Sequence, residues 1–417
     1  MRESGGSCRR GHPTSSQPTR GPVSRRGRLP AIVMAGPRII VSGLIAQFPL
    51  GGVAWDYVQY VAGLAQLGYD AYYFEDTGVW PYNPEEGGIS KTCDYNVRYL
   101  RAVMERFGLG ERWAYCFPDG LQWFGLSDRK RKEVTESADL LLNISGTLAA
   151  PAKYRAVRRL AYIDSDPVFT QVKLARGETS LASLMAAHDV HFSFGEALPG
   201  NTPATSYTWI PTRQPILLDE WPVSDERREV FTTVMNWTTA RPIVHEGVSY
   251  GQKDMEFQRF IDLPSRVKPT EVEIAVNLGK TRKTPHDLLR HNGWRLADPD
   301  KVCPDLDSYR RYLSTSKAEW SVAKNGYVVG KPGWFSCRSA CYLAAGRPVV
   351  VEDTGFGAVI PTGRGVLSFS DPDQAIADIH EVEANYGPHA RAAREIAHEF
   401  FDARKVLTRL VERALAS

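Results

Sequence analysis

The stretch GKPGWFSCRSACYLAAGRPVVVEDTGFG, Gly330 to Gly357, packs two apolar blocks between glycine-bearing turns. Ser336 and Arg338 stand at the mouth of a helix whose later residues are mostly apolar, and Gly346-Arg347-Pro348 separates that helix from Val349-Val350-Val351. An unbroken valine run bounded by turn residues reads as a strand covered on both faces, the signature of a parallel sheet. Its end, Glu352-Asp353-Thr354-Gly355-Phe356-Gly357, falls where open α/β sheets hold their ligands, and a helix start favours an anion. The order helix, tight turn, buried strand, glycine turn therefore predicts an α/β protein with an anion site here.

Working outward, the chain alternates strands and helices from Arg38. RIIVSGLI is a β-rich run; GGVAWDYVQYVAGLAQLG places Ala54, Val58, Val61 and Ala65 at helical spacing before Gly68; YDAYYFED is a second strand. A helix YNVRYLRAVMERFG, a strand WAYCF, a charged helix from Ser127 to Ser137, and strands DLLLNIS, RRLAYIDSD and one near TSYTWIP complete a parallel, doubly wound sheet. The segment TRQPILLDEWPVSDERRE, with Pro215, Pro222 and a charge run, marks a boundary. A second series follows from VFTTVMNW through KDMEFQRFIDL, EVEIAVNL, GWRLAD, DSYRRYLSTS, AEWSVAK and the opening stretch, to GVLSFSD and PDQAIADIHEVEANY. The predicted organisation is a leader over 1–33, one Rossmann-like domain over 34–215, a second over 216–387 and one long amphipathic helix over 388–417. Ile396, Phe400, Leu407, Leu410 and Leu415 lie on or near a single stripe of that helix.

Composition agrees with two α/β domains: 417 residues, 43% apolar and 24% charged. The net charge is only +3, and the first 33 residues hold seven arginines, so the body is close to neutral. That argues against a nucleic-acid partner bound through a broad basic surface. The leader lacks periodicity and is expected to be disordered. It reads as sequence upstream of a true start at Met34, as a tail or presequence, or as a twin-arginine signal at Arg25 and Arg26, which the short, Pro30-broken apolar run disfavours. Six cysteines without paired spacing predict reduced thiols in a cytoplasmic protein, and no apolar stretch approaches the roughly 20 residues of a membrane span.

Several groups could carry chemistry. Gly43 is followed by seven residues before Gly51 and Gly52, a spacing wrong for a dinucleotide turn even though Glu75 or Asp76 imitates its ribose acid. The long loop suits an acceptor pocket, a donor-phosphate contact or a plain strand-to-helix turn. Asp164 and Asp166 end a strand before Pro167; they read as turn residues or as groups that orient or deprotonate an acceptor hydroxyl. His188 and His191 lack a third ligand nearby, and no metal site is expected. Trp55, Tyr57, Trp80, Tyr82, Trp123, Phe124 and Trp209 are candidates for stacking on a sugar, although core packing is the commoner use of such rings.

ACYLAAGRPVVVEDTGFG, followed by IPTGRGVLSFSDPDQAIADI, resembles the C-terminal half of GT-B glycosyltransferases, most specifically over Gly330 to Ile379, in a form similar to one bacterial group. The resemblance implies two Rossmann-like domains facing a cleft. The activity it implies is a hexosyltransferase-like, metal-independent transfer from a nucleotide-sugar donor, which is a substrate, to an unidentified acceptor, with no organic cofactor. It implies donor contacts from Gly51, Gly52, Lys253, Ser336, Arg338, Asp353, Thr354, Gly355 and Phe356, with Asp164 and Asp166 as the catalytic candidates. Lys324 and Asn325 are further candidates for the cleft. Many retaining members carry two glutamates in the donor-site helix region; here those positions are Gly333 and Cys341. Arg338 stands three residues before Cys341, as an arginine does before the glutamate in the bacterial group, and reads either as a diphosphate ligand or as half of a structural salt bridge. The lost carboxylates keep two alternatives open, a non-catalytic glycosyltransferase-like partner protein and a nucleotide-sugar epimerase of similar build.

Overall fold

The computed structural model describes residues 36–277 and 284–416; the expectations for the leader over 1–33 and for a start at Met34 lie outside them. The apolar runs become strands of two sheets. The first contains β1 (Arg38–Ser42), β2 (Asp70–Glu75), β3 (Trp113–Phe117), β4 (Gln122–Gly125), β5 (Leu140–Ile144), β6 (Leu160–Asp164), β7 (Val190–Ser193) and β8 (Trp209–Pro211), in the order β8-β7-β6-β5-β1-β2-β3-β4. The second contains β9 (Val230–Met235), β10 (Glu271–Val276), β11 (Arg295–Ala297), β12 (Ala318–Ser321), β13 (Val349–Glu352) and β14 (Val366–Phe369), in the order β11-β10-β9-β12-β13-β14. Every pairing is parallel except β3 with β4. That edge strand was not expected, and its direction follows from loop length: Pro118–Leu121 is too short for a crossover, so the chain turns back as a hairpin through Gly120 (φ 64°) and Leu121 (φ 53°).

Helices that bear on the site are α1 (Gly51–Gln66), α2 (Asp128–Ser137), α3 (Lys253–Phe257), α4 (Leu306–Ser314), α5 (Asn325–Gly330), α6 (Cys337–Ala344), α7 (Tyr386–Ile396) and α8 (Ala403–Ala416). Helix α1 is buried nearly all round, because it lies between the first sheet and helices of the second half. Its Trp55 donates Nε1–H to Leu306 O (2.9 Å), and its first amide, Gly51 N–H, donates to Cys303 O (3.0 Å). One apolar cluster therefore runs from Val41 and Tyr73 through Trp55 and Tyr309 to Leu343 and Phe401.

The expected single C-terminal helix is two. Helix α7 ends in a wider turn, Ala397–Phe401, and α8 begins at Ala403. Between them Asp402 takes an extended ψ of 120°, Phe401 O accepts from Ile216 N–H (2.7 Å) and Ala403 N–H donates to Ile216 O (2.9 Å). The break redirects the chain from the second sheet back onto α1, where Gly63 leaves room for Leu407: a β-carbon at 63 would lie 2.5 Å from Leu407 Cδ1. The chain passes between the sheets through 212–229, with Ile216, Leu217, Leu218 and Trp221 buried. Since Leu407 is wholly buried, Leu407→Ala is expected to cost about 2–5 kcal/mol in urea unfolding; a loss under about 1 kcal/mol would show that α8 is a loosely attached appendage.

Candidate functional site

In the second sheet β9 lies between β10 and β12, so strand order reverses at the β9/β12 crevice, the place where open α/β sheets take ligands. Arg338, in the first turn of α6, sits over that crevice. Its Nε donates to Glu319 Oε1 (2.6 Å), Nη1 to Val234 O (2.9 Å) and Nη2 to Ser321 Oγ (3.0 Å). Three of its five N–H groups are thus used, and Glu319 is fully buried. Ser336, at the N-cap of α6, makes no side-chain cap hydrogen bond, and its hydroxyl lines the crevice with Arg338 and Ser339. Lys253 opens α3 beside them. Its ammonium makes no hydrogen bond or ion pair among the described residues, and burial, together with the positive charges of Arg338 and Lys324, holds its pKa well below the ordinary lysine value. Arg338, Ser336 and Lys253, singled out separately along the chain, are therefore brought together.

The turn after β13 is occupied by the protein itself. Asp353 Oδ2 pairs with Lys331 (2.6 Å) and Oδ1 accepts from Gly355 N–H (2.8 Å). Thr354 donates its hydroxyl to Trp334 O, its carbonyl accepts from Gly333 N–H (2.8 Å), and Phe356 is buried against Phe335. Gly355 (φ 87°) faces Lys331 O, which a β-carbon would approach to 2.9 Å. Asp353 and Gly355 thus clamp the 331–335 segment, while Thr354 and Phe356 reach the crevice wall. The two missing carboxylates have a steric counterpart. Gly333 adopts φ 81°, and a β-carbon there would lie 2.7 Å from Ala197 N, so no glutamate fits; Cys341 is buried and faces Gln59 of α1.

The first half supplies the opposite wall. Asp164 is sealed: it accepts from Thr170 Oγ1 (2.7 Å), Gln171 Nε2 (3.1 Å), Ser193 Oγ (3.0 Å) and Asp166 N–H (3.2 Å), and burial pushes its pKa up to about 6. Four donors fill its lone pairs, which favours the turn-anchor reading over a role on an acceptor hydroxyl. Asp166 does face the second half, where it pairs with Lys324 Nζ (2.7 Å) and accepts from Tyr327 OH. Asn325 is turned away, donating to Glu256 Oε1 (2.6 Å). Gly51 and Gly52 are engaged within the fold. The Gly51 amide is spent on Cys303, a β-carbon there would lie 2.1 Å from Asp305 O, and Gly52 lies on the Tyr309 ring, so both glycines serve helix contact. Trp55 packs on Trp221, and His188 bonds Leu184 O and Asn143; both are structural. The crevice lined by Ser336, Arg338 and Thr354 has about 20 Å³ of free volume, room for one water.

Three groups escaped the sequence reading. Glu319 carries a visible signal, an acid inside the apolar strand AEWSV. Asp56 likewise interrupts an apolar helix; it accepts from the Cys337 thiol across the two halves, and burial raises its pKa to about 7. Glu352 and Glu256 share Arg259, whose Nη1 donates to Glu256 (2.8 Å) and approaches Glu352 (3.4 Å). Nothing local announces that meeting, because the two acids lie on different elements.

No protein-family model matches the sequence, and no curated protein matches it. Solved structures do. HepE from Anabaena in complex with UDP-glucose superposes with a TM-score of 0.58 at 11% identity, covering 91% of this chain and 99% of that one. Sucrose-phosphate synthase from Thermosynechococcus elongatus gives 0.53 at 13%, covering 90% and 98%. An alpha-glucosyltransferase in complex with UDP and a 13-mer DNA containing a HMU base gives 0.54 at 10%, covering 92% and 100%. The fold is that of the GT-B glycosyltransferases, two Rossmann-like halves facing each other across a crevice.

Glu352 generates a test of the site's electrostatics. Burial and the neighbouring Glu256 raise its pKa to about 9, against an ordinary value of 4.5. A raised acid contributes stability that is complete below the unfolded value and is lost as pH rises through the folded one. Glu352→Gln keeps a donor toward Glu256 and removes this proton, so the drop in melting temperature between pH 6 and pH 9 should shrink in the variant. An unchanged drop would mean that Glu352 is ionised throughout.

Proposed function

We propose that the protein is a glycosyltransferase whose second half binds the diphosphate of a nucleotide sugar at Lys253, Arg338 and the start of α6. One observation carries this reading: Lys253 is a half-buried lysine beside two other cations, it makes no ion pair among the described residues, and the more distant Glu319 and Glu352 do not make up for its burial. Such an arrangement is unfavourable until an anion arrives, and the uncapped helix start with the Ser336 hydroxyl adds donors aimed at the same place. During transfer the bond from the anomeric carbon to the diphosphate oxygen breaks with its electron pair on that oxygen, the acceptor hydroxyl oxygen bonds the carbon, and the hydroxyl proton passes to the departing diphosphate. Lys253 and the free N–H groups of Arg338 would stabilise the growing negative charge, so cations of the chain do the work that a bound metal does elsewhere. The first half would hold the acceptor. Room for one water is too little for a donor, so entry requires the residues that line this pocket to move, and Asp166 would release Lys324 to the diphosphate.

Missing carboxylates at Gly333 and Cys341 favour one second reading, a protein that binds a nucleotide sugar without transferring it. Titration of UDP and UDP-glucose into the wild type and into Lys253→Met tests the first claim. Losing a charge-assisted hydrogen bond of about 1.5–3 kcal/mol should weaken UDP binding by roughly 10- to 150-fold in the variant. If neither UDP, ADP nor GDP binds the wild type, the proposal fails. Turnover of UDP-glucose separates transferase from silent binder, and the acceptors tried should include sugars, sugar phosphates and a short DNA, given the DNA held by one structural neighbour.

A further inference from the structure

A cavity of about 230 Å³ opens on the first sheet, at the carboxyl ends of β2 and β3, one strand from the point where β1 separates β5 from β2. At its floor is Asp76, only 7% exposed. Its Oδ2 accepts from Tyr154 OH (3.0 Å), the neighbouring Cys116 thiol is turned to Phe117 O (3.9 Å), and no cation lies within ion-pair distance of the carboxylate among the described residues. A single neutral donor leaves most lone pairs of a buried carboxylate in the cavity wall unfilled, a costly arrangement unless a ligand hydroxyl fills them.

The walls complete a built site. Trp123 carries the Arg131 guanidinium 4.0 Å from its ring centroid, and Arg131 is tied only to the exposed Asp128. Lys153 stands at the mouth, its ammonium without an ion pair or hydrogen bond among the described residues. Leu121, 57% exposed, closes the rim from a left-handed backbone conformation (φ 53°) that an L-residue adopts only when its surroundings hold it there. The volume lies below the range of drug-sized pockets, which suits one sugar ring and excludes a chain of them.

We infer that this cavity binds a small hydroxylated anion, a monosaccharide bearing a phosphate or a carboxylate, with its hydroxyls on Asp76 and its anionic group between Lys153 and Arg131. Assigning it to the acceptor rests on the glycosyltransferase reading; the binding chemistry does not. A zwitterion or a cation would bring positive charge up to Arg131 and Lys153, which disfavours those classes.

The test titrates glucose 6-phosphate, glucuronate and glucose into the full-length protein, with and without UDP. At least one anionic sugar should bind tenfold or more tightly than glucose, the two arms telling phosphate from carboxylate. Lys153→Ala, a change at an exposed side chain, should remove most of that advantage and leave UDP affinity unchanged, and Arg131→Gln provides an independent second variant. Anionic sugars that bind no better than glucose, or an affinity unmoved by both variants, would overturn the assignment. Sugar-phosphate binding without UDP binding would keep this cavity and remove the donor proposal; UDP binding without any sugar anion would do the reverse.

Discussion

The buried pair between Arg338 and Glu319, 2.6 Å apart, is the contact on which the second half depends. Glu319 lies on β12 between Thr232 of β9 and Val349 of β13 and is fully buried. A carboxylate placed there is tolerable only because a guanidinium meets it, and that guanidinium also ties Val234 O of β9 to Ser321 of β12. One side chain thereby docks α6 onto the switch point and fixes where the helix start points. Glu319 pairs with Arg338, and its attraction and that of Glu352 on Lys253 do not offset burial and the charge of Arg338, so the Lys253 pKa stays well below the ordinary lysine value.

From that follows the electrostatic character of the crevice. Lys253, Arg338 and Lys324 lean on one another, and only Arg338 and Lys324 have carboxylates of their own. The Lys324–Asp166 pair joins the two halves, and the Tyr327 hydroxyl strengthens it. Under the proposed function, an arriving diphosphate would compete with this internal anion for Lys324. The EDTGFG turn takes part indirectly: by clamping Lys331 to Trp334 it holds the segment from which Trp334 donates to Ser165 O (3.2 Å) across the crevice.

Much of the architecture was legible in the sequence because parallel strands buried on both faces leave plain apolar runs; β1, β5 and β13 were read nearly to the residue. The meeting of Ser336, Arg338 and Lys253 was legible for a different reason, since helix starts at strand ends converge in any doubly wound sheet. What could not be read were the partners. Asp353 and Gly355 have the residue types of a ligand turn, and nothing local announces that Lys331 packs against both. Asp164 has the look of a catalytic acid until Thr170, Gln171 and Ser193 are seen around it. The break at Asp402 depends on a bridge to Ile216, far away in the chain, and no periodicity within 388–417 encodes it.

The central claim is that Lys253 waits for an anion, and proton linkage tests it most directly. Calorimetric titration of UDP from pH 7 to pH 10, in two buffers of different ionisation enthalpy, measures protons exchanged on binding. Because a bound diphosphate must lift the depressed Lys253 pKa, the account predicts proton uptake that grows as pH rises through the pKa of the free lysine and is absent across the range in Lys253→Met. UDP binding with no proton uptake, or with equal uptake in the variant, would contradict it.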